Sequence, residues 1–301
     1  MNAAFVVARQ EIRCTSRERL AVALLAVFLG MALVSSAIGW ASHHTVMSVY
    51  DETILLMGRS IPNPFAGVSA LDVTSNSVIY IVLIGALLAT VVGVRSSVRD
   101  RRAGVADLVF ARPIGARTYV AGKLLGLQAW IGIVIVAAMA ATWVGVWVVN
   151  GRPLSFSETL SLLAFHALAW VFLLPFTVMG MVAGAKARNE STALLVPILV
   201  WVAIVFVVPQ LGTAQNPTAV LNPVPAPVSS QDLFFRVNHV VLRPISITEH
   251  FKHAGAVILH LRDAGSSAIA GDLGSLAAVA ILSLAALTLV TRTTLRRPLH
   301  E

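Results

Sequence analysis

Six long apolar stretches, separated by polar segments, confine this chain to very few folds. They are Leu20 to Trp40, Val78 to Val94, Leu124 to Val149, Leu160 to Ala183, Ala193 to Pro209 and Leu273 to Val290. A helix rising 1.5 Å per residue needs about 20 such residues to cross a hydrocarbon core of about 30 Å, so the shorter stretches require a few flanking residues and the third must tilt or project. Each run is continuously apolar and lacks the period-two alternation of a barrel wall. A helix is therefore the element that satisfies its backbone in lipid. Composition agrees: 57% of residues are hydrophobic and 12% charged, whereas a water-soluble domain carries roughly a quarter of its residues as charges. The expected fold is all-α and integral to the membrane, a single domain over 1–301 with six transmembrane helices.

Charge sets the expected orientation. With residue 1 in the cytoplasm, segments 1–19, 95–123, 184–192 and 291–301 hold 16 of the 22 Lys and Arg residues against 6 acidic ones, and the opposite segments hold 6 basic and 8 acidic. Cytoplasmic loops carry the excess of Arg and Lys, so both termini are expected inside. The pI of about 10.7 then follows from topology, and no nucleic-acid site is read from it. Leu20 to Trp40 reads as a retained span, because its apolar core is longer than a signal core and Ala41, Ser42, His43 make a poor cleavage context. The single cysteine, Cys14, can form no intrachain disulfide.

The polar segments carry further pattern. Residues 3–19 set Phe5, Ala8 and Ile12 on one helical face and Arg9, Arg13 and Arg17 on another, an amphipathic helix suited to the inner surface with its arginines near anionic lipid headgroups. The segment from Arg95 to Lys123 is dense in arginine. It contains an apolar patch, Val105, Leu108 and Val109, at the spacing of a short helix that Pro113 and Gly115 would break. Topology alone requires only the charges; the apolar face points to docking. Residues 41–77 read as an outer loop capping the helices. In 210–272 the prolines at 217, 223, 225 and 227 exclude regular structure. A helix is then expected from Ser229, capped by Asp232, with Leu233, Phe234, Val237, Val240 and Val241 along one face and Pro244 at its end.

Several chemistries lack their residues. No Gly-x-x-x-x-Gly-Lys-Ser/Thr loop, His-Glu-x-x-His, paired cysteine motif or Gly-x-Ser-x-Gly turn occurs, so neither nucleotide hydrolysis nor another catalytic role is expected of this chain. The spans carry almost no ionisable side chains, unlike an ion-coupled pump. His166, beside Trp170 in the fourth span, reads as a packed residue rather than a proton relay. His250, His253 and His260 would share an arc of about 80° on a helix, an arrangement tolerable for a metal. Without cysteine support they are taken as solvated or interfacial, and no metal site is assigned.

From Arg95 to Lys123 the chain resembles the cytoplasmic coupling region of type-2 ABC transporter permeases. The matching positions are Asp100 and Arg101, Gly104, Asp107, Arg112 and Pro113, Arg117, and Gly122 with Lys123; Arg9, Gln10 and Glu11 resemble that family's lead-in. Arg102 stands where the family usually has an acidic residue, and Val105 replaces the common Thr. The layout is also similar to permeases that assist copper-enzyme maturation in nitrous oxide reduction.

The resemblance implies a prokaryotic cytoplasmic-membrane exporter subunit without cofactors of its own. It implies a second permease chain, identical or not, and a cytoplasmic P-loop ATPase that holds ATP and Mg. Docking is expected through Arg101, Gly104, Asp107, Leu108, Val109, Arg112, Pro113 and Arg117. The alternative expectation is a membrane anchor or assembly scaffold that moves nothing itself.

Overall fold

The computed structural model describes residues 3–58, 71, 74–102, 115–187, 189–212, 233–261 and 266–294. Its regular structure is helical throughout. The helices are α1 (Ala3–Ser16), α2 (Arg19–Met57), α3 (Ser75–Tyr80), α4 (Ala86–Arg102), α5 (Ala116–Asn150), α6 (Phe156–Lys186), α7 (Glu190–Val202), α8 (Val208–Gly212), α9 (Leu233–Leu242), α10 (Ile247–Ile258) and α11 (Ser266–Thr294). A π-helical turn, Ile81–Gly85, joins α3 to α4, and another, Ala203–Val207, joins α7 to α8. Six helical segments are long and apolar enough to cross a membrane, in agreement with the expected fold.

The second and fourth spans form the centre. Of their most apolar windows 72% and 56% are buried, against 24% for the first span and 17% for the fifth and sixth. Backbone proximity explains the pairing of α4 with α6. A Cβ on Gly93 would run into the Thr177 carbonyl oxygen, and one on Gly180 into that of Thr90, so the two helices approach as only small residues permit. Around this axis pack Leu127, Ile131, Phe165, Phe172 and Phe176, all but removed from the surface. His166 lies in this packing, its Nδ1 2.8 Å from the Leu162 carbonyl and its ring edge-on to Phe165, as a packed histidine should.

Local chemistry fixes the helix ends. Ser155 caps α6 in a reciprocal box with Glu158: the Glu158 amide donates to the serine hydroxyl at 3.3 Å, and the Ser155 amide donates to the glutamate carboxylate at 2.7 Å. Asn189 caps α7 through the Thr192 amide at 2.8 Å.

The first helix departs from expectation. It does not stop near Trp40 but continues to Met57, where Gly58, with φ 59°, closes it in the left-handed conformation. The stretch from Ala41 to Met57 contains neither Gly nor Pro. Thr45, Ser48 and Thr53 turn their hydroxyls back onto the helix carbonyls, so nothing stops the helix. At 39 residues it is about 58 Å long, nearly twice a hydrocarbon core.

At the opposite end from the arginine-rich loop, α9 runs from Leu233 and gives way to a 3₁₀ turn containing Pro244, close to the expected termination. Its expected start, from Ser229 to Asp232, lies outside the described residues. Leu233, Val237, Val240 and Val241 are exposed, so its apolar face does not cover the bundle. That task falls to α10, which begins at Ser246 with the hydroxyl accepting from the Glu249 amide. Phe251 of α10 stacks on Phe172 with ring centroids 4.3 Å apart, and Gly255 admits Phe165 against the helix backbone.

Candidate coupling site at the arginine-rich end

The loop expected to dock a partner leaves the bundle at the end of α4 and returns at the start of α5. Both feet are anchored in one group of ionised side chains, together with α1. Lys123, one turn into α5 beyond Tyr119, is 3% exposed. Its Nζ donates to the Asp100 carboxylate and, at 2.9 Å, to the Ser96 carbonyl, and it lies 3.6 Å from Glu11 Oε2. Glu11 of α1, 5% exposed, accepts from the Arg99 guanidinium and from the Thr15 hydroxyl at 3.4 Å. Tyr119 donates its hydroxyl to Asp100 at 2.5 Å. One turn back on α4, Arg95 grips Glu18 through Nε at 3.0 Å and Nη2 at 2.5 Å.

The arrangement is electrically closed. Glu11 and Asp100 balance Lys123 and Arg99, and a buried charge is tolerable only when so paired and hydrogen-bonded. Removing one partner from a buried pair typically costs about 3–5 kcal/mol, because the other charge is left stranded. The cluster therefore makes α1, α4 and α5 move together or separate at considerable cost. Packing adds to this. A Cβ on Gly122 would sit 2.7 Å from the Ala4 carbonyl oxygen, and one on Gly126 2.6 Å from that of Ala8, so α1 rests directly on the backbone of α5.

The face α1 presents to the bundle differs from the expected one. Ala4, Val7, Ala8, Glu11 and Thr15 turn inward, Ile12 packs at the edge of the core, and Phe5 is 73% exposed. Arg9, Arg13 and Arg17 are exposed, as expected. An inward glutamate is favourable because Arg99 and Lys123 wait for it.

Of the docking residues read from the sequence, Arg101 lies in the last turn of α4 and Arg117 is exposed at the start of α5. Gly104, Asp107, Leu108, Val109, Arg112 and Pro113 lie outside the described residues. The structure adds Glu11, Glu18, Arg95, Arg99, Asp100, Tyr119 and Lys123 as the frame that holds the loop. Two signals for that frame were present in the sequence. Glu11 and Glu18 are carboxylates in segments where topology asks only for cations, and Gly122 and Gly126 form a small-xxx-small pair around Lys123.

The histidines at the other end divide. His250 Nδ1 and His253 Nδ1 meet the two oxygens of Asp272 at the head of α11, at 2.7 and 2.5 Å. His260, in the left-handed conformation at φ 58°, instead faces the Ser161 hydroxyl at 3.1 Å. The three thus do not converge. Among the described residues no group of three or more His, Cys, Asp or Glu is arranged to hold a metal ion.

A six-span helical bundle, with an N-terminal helix packed on its third span and a group of ion pairs at the feet of the segment between its second and third spans, is the fold of a polytopic membrane protein. Residues 5–296 match the family described as ABC-2 family transporter protein, and the chain belongs to that family. It is accordingly a non-catalytic transport component, of a kind that pairs with a cytoplasmic ATPase subunit. Comparison with curated proteins gave no match.

Proposed function

We propose that this chain is the permease subunit of an ATP-driven exporter in a prokaryotic cytoplasmic membrane, with both termini and the arginine-rich end in the cytoplasm. Two permease chains form the membrane part, and two ATPase subunits dock below them on the loop between α4 and α5. Asp107 and Arg101 supply polar contacts to the ATPase. Leu108 and Val109 are apolar anchors, Gly104 and Pro113 bound the short docking helix, and Arg112 and Arg117 flank it.

The observation that carries this reading is the buried cluster of Glu11, Arg99, Asp100 and Lys123, which ties both feet of the loop to α1. A push on the loop has no slack to absorb it. The displacement passes through Asp100 and Lys123 into α4 and α5, and through Glu11 into α1. Because α4 is locked against α6 at Gly93 and Gly180, the central pair of spans shifts with it. The narrower kinship to permeases of copper-enzyme maturation belongs to this reading on layout alone, through the long segment before the last span.

The test is association with the ATPase encoded alongside this chain. Asp107→Arg is expected to reduce its co-purification several-fold while membrane insertion is unchanged. Undiminished recovery, or function persisting when the ATPase cannot hydrolyse ATP, would support the scaffold instead.

A further inference from the structure

A groove separate from the coupling cluster runs along the arginine-rich half of the bundle, between α6, α7 and α11. Its volume is about 540 Å³, within the roughly 300–1,000 Å³ common for ligand pockets. Val178, Val182, Val196 and Val200 form much of its wall, and among the described residues Lys186 is the ionisable one of its lining. Val196 and Val200 are 48% and 40% exposed, so the groove opens along the side of the bundle rather than into its core.

Its dimensions match a lipid chain. The α6 wall runs from Pro175 to Lys186, about 16 Å at 1.5 Å per residue, or one leaflet of a hydrocarbon core about 30 Å thick. Lys186 is the last residue of α6, which puts its ammonium at headgroup depth with the apolar wall extending toward the bilayer centre. The leaflet in question is the cytoplasmic one, where anionic lipids concentrate. A second permease chain laid over the groove would fit less well. Leu195, Val196 and Leu199 of α7 and Ile281 and Leu282 of α11 are exposed, so a copy meeting the groove with that same apolar face would desolvate the ammonium without supplying an anion.

We propose that this groove is a binding site for an anionic phospholipid, with one acyl chain along Val178, Val182 and Val196 and the phosphate on Lys186. The site shares with the proposed function only the orientation of the bundle. A tightly held lipid there would fill the gap between the central fourth span and the thinly packed fifth and sixth, so those two outer spans would be held to the core partly by lipid.

The full-length protein in mixed micelles containing equimolar phosphatidylglycerol and phosphatidylcholine provides the test, with retained lipid counted by native mass spectrometry. Wild type is expected to keep phosphatidylglycerol in preference to phosphatidylcholine. Lys186→Gln should reduce that preference about fivefold, the value of one cation near an anionic surface, and Lys186→Arg should restore it. Ala286→Trp, which fills the groove from the exposed side of α11, should displace the lipid while the size-exclusion profile stays that of wild type. The proposal is overturned if Lys186→Gln keeps the wild-type preference, if Ala286→Trp retains as much lipid as wild type, or if cysteines at Val196 of two copies cross-link efficiently in membranes. Labelling of a cysteine at 186 from outside the cell would reverse the orientation and with it the leaflet. The mass spectrometry reads the groove itself in either case.

Discussion

At the arginine-rich end, α1, α4 and α5 are joined through Glu11 and Lys123, both buried, and through Arg99 and Asp100, both partly exposed. At the opposite end, α10 is seated by Phe251 against Phe172 and tied to α11 by two histidines sharing Asp272. The first junction is ionic and directional, and no member can leave without stranding a charge. The second rests mainly on apolar area, which is strong but indifferent to small sliding. On the proposed function, a subunit pushed from one face needs stiff linkage there and tolerates a softer seal at the other.

Four substitutions separate the two kinds of junction. Lys123→Met should have the largest effect, about 3–5 kcal/mol of lost stability, because Glu11 and Asp100 are left without their shared cation; a lowered unfolding temperature in detergent reads it. Adding Glu11→Gln, Arg99→Met and Asp100→Asn to that variant, so that all four charges go together, should recover most of the loss. Failure to recover would show that packing, not charge, holds this end. Phe251→Ala should cost about 3–4 kcal/mol by opening a cavity beside Phe172 and Phe165, yet leave co-purification with the ATPase as in wild type. A drop in co-purification would erase the distinction between the ends.

Gly126→Val should cost about 1–3 kcal/mol by forcing α1 off α5, visible as faster proteolysis before Arg19. Asp272→Asn, the mildest, should cost about 1–2 kcal/mol, because one histidine keeps a neutral amide oxygen and the other loses its acceptor. Hydrogen exchange should quicken in α10 and not in α1.

The spans were legible in the sequence because lipid leaves a continuous apolar run few alternatives, and the helix end at Pro244 carried its own chemistry; the cap at Ser155 was not foreseen. The extension of α2 to Met57 was not legible. Polar residues after Trp40 suggested a loop, although Ala41 to Met57 contains nothing that breaks a helix. Nor was α10 foreseen as a buried element. Its burial depends on Phe165 and Phe172, some eighty residues away, and no local pattern reports such a contact.

The proposed docking segment was read from its motif, which also held Asp100, Lys123 and Glu11, while the pairing of those charges with one another was missed for a physical reason. A glutamate on an amphipathic helix reads as solvent-facing until Arg99 and Lys123 are known to sit beneath it. Phe5, read with Ala8 and Ile12 on the apolar face of α1, stays exposed, while the small residues Ala4 and Ala8 bring α1 onto the α5 backbone.

The most direct measurement of the central claim is stimulation of the partner ATPase by the permease in a reconstituted complex. It compares wild type with the charge-free variant carrying Glu11→Gln, Arg99→Met, Asp100→Asn and Lys123→Met together. With the docking loop intact and the fold retained, the complex should assemble as before and ATPase stimulation should fall at least several-fold. Stimulation equal to wild type in an assembled complex would contradict the claim that force from the ATPase enters the bundle through these buried charges.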